Sequence, residues 1–401
     1  VSRADLANVR RELGDNAPAE REPADPAGPV RADGRPLRSV LRGSVSKGSV
    51  LKGSVLMDGV LMGRTALLAF AVVVLLAVSI LLGSYTVTVP DFIRILTAHL
   101  TGGERTPGAS FIVMENKLPR AVIGTMIGIA FGLSGTLFQT MLRNPLASPD
   151  VIGISYGASA AAVTAIVVFG ASGAAVSGAA LCGAVAVAVL IYTISRSGSL
   201  GSGGGNRGSA AGSRLILAGI GIAAALNAVV NFLMTRTDIR TAAEALIWLN
   251  GSLNSANWDR AGVLTLALLV LLPAVALLAG PLRILELGDD AAAGLGIRVG
   301  LTRLGVVAVA VALAAVATAA AGPVAFVAFL AGPIARRFTG KASLPAGAFV
   351  GVLIVLAADY FAANIAPALL DGTVLPVGVV TGALGAPFLL WLLVTANRKD
   401  A

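Results

Sequence analysis

From about residue 65 to near its end, this chain is a succession of apolar runs, each closed by glycine, proline or charged residues. A helix rises 1.5 Å per residue, so about 20 apolar residues cross a hydrocarbon core of about 30 Å. Windows of that length predict ten spans, at about 65–83, 118–141, 152–170, 173–195, 213–234, 261–280, 301–321, 323–338, 346–366 and 376–396. The fold class this implies is all-α, a polytopic integral membrane protein of about ten helices filling residues 65–397. The third and eighth spans are the least regular: one follows a proline elbow, and the other is short and ends in Arg336-Arg337. Charged residues are only 13% of the chain, about half the share of a soluble domain, and 48 glycines suit helices that meet through small residues.

Residues 1–64 differ in kind, being rich in Arg, Asp, Pro, Gly and Ser with too little apolar content to offset chain entropy. They are expected to be a disordered polar tail. The repeats Gly43-Ser-Val, Gly48-Ser-Val and Gly53-Ser-Val read as a low-complexity linker, and no signal-peptide layout precedes the first span. The chain opens with Val, and Met57 or Met62 would serve as an alternative start.

Several function classes are excluded at this level. The net charge of +9 comes from cations dispersed among the loops, without the aromatic-interleaved patch of a nucleic-acid binder. Cys182 and His99 each stand alone, so no disulfide framework, metal site, cofactor or catalytic constellation is expected. No Gly-x-x-x-x-Gly-Lys-Ser/Thr loop occurs, and the glycine-rich 201–209 segment lacks the lysine, so ATP is not hydrolysed on this chain. A gradient-driven transporter is the rival class, and it is disfavoured because such proteins expose ionisable groups at midplane depth and Asp359 is the only carboxylate clearly inside or near a predicted span.

If the first span runs outward, the inner loops hold twelve Lys and Arg residues and the outer loops seven, which places both termini in the cytoplasm. Gly124, Gly128 and Gly132 then form a small-residue stripe for close helix packing. Gln139 and Asn144 sit where that helix leaves the membrane, and their amides are expected to satisfy the backbone freed by Pro145 and Pro149. In 285–297, Asp289 and Asp290 suit the first turn of a short inner helix that Gly294 or Gly296 ends. Lys117 and Arg120, three residues apart at an outer helix start, suit either lipid phosphates or acidic residues of a docking protein. Asn227 and Asn231 share a face of the fifth span, for interhelical hydrogen bonds or a weakly polar path.

The wording of several segments carries a resemblance. They are Lys117-Leu-Pro-Arg120, the elbow Gly135…Asn144-Pro-Leu-Ala-Ser-Pro149…Gly153, Trp248-Leu-Asn-Gly-Ser-Leu253, Leu287-Gly-Asp-Asp290…Leu295-Gly296 and Leu375-Pro-Val-Gly…Gly385-Ala-Pro-Phe388. Together they resemble the FecCD-like permease subunits of ATP-binding-cassette importers for iron-siderophore, haem and cobalamin. The resemblance implies a cytoplasmic-membrane conduit that works with a second permease chain, separate ATPase subunits and an extracytoplasmic substrate-binding protein. It implies that Gly288, Asp289, Asp290, Ala291, Gly294, Leu295 and Gly296 couple to the ATPase. It turns the preference for Lys117 and Arg120 toward docking, and places Asn227, Asn231, Trp248, Gly251 and Ser252 on the translocation path. Gly332-Pro333, in the stretch Gly322 to Arg336, in place of Pro-His points to the iron-siderophore branch, and Ala363 replaces an arginine expected at the outer end of the ninth span.

Overall fold

The structure is a computed structural model in which residues 47–83, 85–103, 108–150, 153–197 and 207–397 are described. Gly59–Ala401 forms one compact unit, and the tail reading of residues 1–46 lies outside the described residues. Among the described residues thirteen helices follow in order: α1 (Lys47–Leu81), α2 (Val89–Thr101), α3 (Ala109–Leu142), α4 (Ile154–Phe169), α5 (Ala174–Ser197), α6 (Arg207–Arg236), α7 (Ile239–Leu249), α8 (Trp258–Leu285), α9 (Asp289–Gly294), α10 (Val299–Ala321), α11 (Val327–Thr339), α12 (Leu344–Leu369) and α13 (Val377–Asn397). No strand occurs among the described residues.

Seven of these helices are long and apolar enough to cross a membrane: α1, α3, α5, α6, α8, α10 and α12, and α4 and α13 are shorter apolar helices. Every one of the ten expected windows is occupied by a helix, but α11 has only 13 residues and carries Arg336 and Arg337 in its last turn. Residues 47–64, read from the sequence as tail, are helical as the start of α1. They contain no proline, so the long helix that follows extends into them at little cost. By sequence alone α2 and α7 fall in loops between spans. Each is short and amphipathic, with a side-chain cap from Thr88 or Asp238, a pattern that a bilayer-length average erases.

The hub is α3, with α8, α10, α11 and α12 packed against it. Of its apolar window 78% is buried, against 11% for α1 at the periphery. The contact with α12 is antiparallel and made almost backbone to backbone. A Cβ on Gly128 would lie 2.5 Å from the Cα of Val352, and one on Gly132 would run into the carbonyl of Gly347. Gly351 returns the fit against the Gly128 carbonyl, and Gly135 does the same against Ala328 of α11. The small-residue stripe is therefore a packing device, as the four-residue spacing indicates. A second group, α4 with α5 and α6, packs beside the hub.

Between α10 and α11 the chain unwinds, with Gly322 at φ 76° and Phe326 at φ 65°. Gly322 fits against the Trp248 carbonyl, Gly378 fits against the Asn250 carbonyl, and the Ser252 N–H donates to the Ala321 carbonyl at 2.7 Å. The end of α7, the break after α10 and the start of α13 thus form one junction.

Replacing Gly128 by Val should lower the thermal stability of the detergent-solubilised protein by about 2 kcal/mol or block its folding, because backbone cannot move aside as a side chain does. Gly221→Val, where a Cβ meets nothing within 4 Å, is the control that should melt with the parent protein.

Candidate functional site

At the elbow end of α3 the helix stops on Arg143, whose φ of 49° reverses the chain. The Asn144 side-chain oxygen accepts from the Leu146 N–H at 2.9 Å, the elbow role its position suggests. Gln139 does not share it. It is buried one turn earlier and donates to the carbonyls of Phe329 at 3.0 Å and Ala328 at 3.5 Å in the first turn of α11. The reason is its facing: Gln139 lies on the side of α3 where Gly332 leaves room for its amide.

Arg143 also reaches across to the next element. Its guanidinium donates to the Leu285 carbonyl at the end of α8 at 2.7 Å and lies 3.4 Å from the Asp289 carboxylate. Arg303 of α10 donates to the same carboxylate oxygen at 2.8 Å. Asp289 opens α9 after Gly288, whose φ of 117° suits glycine, and a carboxylate there is favoured by the helix dipole. Three helices, α3, α8 and α10, are thereby fastened to the first residue of α9. These ion pairs are half exposed and contribute little energy, so their effect is to fix orientation.

Beyond that anchor α9 is open. Ala292 is buried, while Asp290, Ala291, Gly294, Leu295 and Gly296 are exposed, as is Leu287 before them. Leu287 at 68% and Leu295 at 63% exposure give a surface at a polar boundary an apolar character that suits a protein partner.

The opposite end of α3 holds both basic residues singled out from the sequence, and each has a partner within the chain. The Lys117 ammonium donates to the carbonyls of Ile80, Leu82 and Tyr85 at 3.1, 2.9 and 2.6 Å, closing the C-terminus of α1. Arg120 makes a two-pronged pair with Asp359 of α12, both contacts at 2.8 Å, with the side chains 19% and 12% exposed. Asp359 is thus held by a fixed cation. Both helices become π-helical next to this pair, α3 over Ile112–Lys117 and α12 over Phe361–Ile365.

The path candidates fall in different settings. Asn227 and Asn231 are exposed on α6 and make no side-chain hydrogen bond to the described residues. Trp248 and Ser252 line a recess of about 200 Å³ with Glu244, Ser255 and Arg260. Gly251 is buried at φ 65° against the Pro323 carbonyl and serves the backbone junction. Sequence reading missed Arg143 and Arg303, counted only as loop cations, and missed that Asp359 is the partner of Arg120. A charge three turns from its partner's helix end carries no local signal.

The chain matches the FecCD transport family over residues 71–395. It belongs to that family. It is similar to the ferric enterobactin transport system permease protein FepG of Escherichia coli, with 38% identity over 74% of this chain and 86% of the relative. It is also similar to the Fe(3+)-citrate import system permease protein YfmE of Bacillus subtilis, with 36% identity over 83% of this chain and 95% of the relative. A solved structure described as an inward-facing conformation of a metal-chelate type ABC transporter shares the fold, with a TM-score of 0.67 and 24% identity over 84% of this chain and 99% of that one. This FecCD-family chain is a membrane permease subunit of an ABC importer; ATP hydrolysis belongs to a separate subunit.

Two outcomes test the fastenings. Asp359→Ala should cost about 2 kcal/mol in detergent melts by stranding Arg120, and adding Arg120→Ala should recover part of it in a double-mutant cycle. In the elbow, the Asp150 carboxyl accepts from Ser155 through one oxygen while the other is buried without a partner among the described residues, and burial raises its pKa. A raised carboxyl supports the fold below its ordinary range and loses that contribution as pH rises through the folded value. Asp150→Asn should therefore melt higher than the parent at pH 7.5, by about 1 kcal/mol, and equal to it near pH 4.

Proposed function

We propose that this FecCD-family chain, paired with an identical or sister permease in the cytoplasmic membrane, imports an iron-siderophore chelate. In this reading ten spans cross the bilayer, both termini lie inside, and the elbow and α9 face the cytoplasm. The positive-inside distribution of Lys and Arg supports that orientation. The ferric enterobactin and Fe(3+)-citrate systems to which two similar relatives belong support the cargo class.

The observation that carries the reading is the construction of α9, anchored through Asp289 to α3 and α10 while Leu287, Asp290 and Leu295 face outward. A short helix held that way transmits displacement to the hub instead of absorbing it. Closure of the ATPase subunits on Gly288, Asp289, Asp290, Ala291, Gly294, Leu295 and Gly296 would move α3 and α10 together. At the outer face a substrate-binding protein docks near Lys117 and Arg120, its acidic residues sharing Arg120 with Asp359. The cargo then passes between two copies along α6, α11 and α13, past Asn227, Asn231, Trp248 and Ser252, with Gly251 shaping the junction. Such a wall binds weakly and releases readily. A gradient-driven mechanism is disfavoured, because Asp359 already has its cation.

The paired substitution Asp289→Lys with Asp290→Lys should reduce uptake of radiolabelled ferric chelate in cells by at least about tenfold with membrane expression intact. Arg143→Ala with Arg303→Ala should leave ATPase subunits bound and hydrolysing while import falls. Uptake that survives both changes, or that stops when ion gradients are collapsed with ATP maintained, would overturn the assignment.

A further inference from the structure

On the flank of the hub, α8 and α12 both lie on α3 and leave between them a slot of about 380 Å³. Its walls are apolar: Ile129 and Leu133 of α3, Leu272, Val275 and Ala276 of α8, and Ala348 of α12 are among them. From Leu272 to Arg283 along α8 the slot covers twelve residues, a rise of about 16 Å from the first to the last. That is the depth of one leaflet, about half of a 30 Å hydrocarbon core. The outer face of α8 beside it, with Leu269, Val270 and Leu277, is exposed and apolar, so the slot opens toward lipid tails.

The chemistry changes at the elbow end. There the mouth is formed by Arg283 and Glu286 in the closing turn of α8 and by Ser343, which caps the first turn of α12 through the Ala346 N–H. Arg283 and Glu286 are exposed, and neither has an ion-pair or hydrogen-bond partner among the described residues. An apolar slot of leaflet depth therefore ends in one unpaired cation and one unpaired anion, side by side at the depth of the headgroups.

We propose that this slot binds a phospholipid of the ethanolamine class, with an acyl chain along α3 and the headgroup across Arg283 and Glu286. The phosphate meets Arg283, and the ammonium donates to Glu286. A choline headgroup has no N–H to donate, and a glycerol headgroup offers Glu286 only neutral hydroxyls, with no cation to offset its carboxylate. The leaflet, though not the slot, rests on the orientation proposed above. Because Glu286 lies three residues before Asp289, a bound lipid would brace the segment that leads into α9.

The test is native mass spectrometry of the purified full-length chain in mild detergent. It is mixed in turn with phosphatidylethanolamine, phosphatidylglycerol and phosphatidylcholine of identical acyl chains. The expected order is ethanolamine first. Arg283→Ala should weaken retention of all three by about fivefold, the worth of one basic contact at a membrane surface. Glu286→Gln should erase the preference for ethanolamine over glycerol while leaving total retention nearly unchanged. Ala276→Trp, which fills the slot, should abolish the bound lipid. The two headgroup variants alter exposed side chains, so they report even if the tryptophan variant misfolds. An unchanged order in both, a preference for glycerol, or a slot whose filling alters only dimer formation would overturn the proposal. None of these readouts uses cargo or ATPase, so failure here is separable from failure of the transport reading.

Discussion

Helices in a bilayer gain nothing by hiding apolar side chains from lipid tails that are equally apolar, so this protein depends on how closely its backbones can approach. The contact of α3 with α12 meets that demand through Gly128, Gly132, Gly347 and Gly351, and Gly135 brings α11 in on the same helix. Dispersion between well-fitted backbones replaces the hydrophobic drive of a soluble core. With α3 fixed this way, its two ends become the places where other elements can be fastened. Both are used.

The fasteners are charges, and two of them are placed where a helix end would otherwise be left open. Lys117 closes the carbonyl end of α1, Arg120 ties α3 to α12 through Asp359, and Arg143 ties α3 to α8 and α9. A pair such as Arg120 with Asp359 is costly to break but adds little net stability, so what it supplies is register between two helices. The same pairing takes up Asp359, the carboxylate on which a proton-driven mechanism would have been built. The energy for transport belongs to the separate ATPase subunit.

Much of this was legible in the residues because membrane sequences obey few rules strictly. Apolar length fixed the helices, the four-residue glycine spacing marked the close contact, and the Asp-Asp start with glycines at either side marked α9. Other features were not. Gln139 was assigned to its own elbow but serves α11, since a side chain's facing depends on which helix packs nearby. The short α2 and α7 disappeared in averages taken over a bilayer's thickness.

By itself the sequence determined that the chain is helical, membrane-embedded, without a nucleotide site, and related to chelate permeases, because those properties follow from composition, period and local wording. Only the tertiary structure decided that Arg120 answers Asp359, 239 residues away, and that Arg143 and Arg303 converge on Asp289. Such pairings are made by the antiparallel packing of distant helices. Nothing in the residues flanking either partner encodes them.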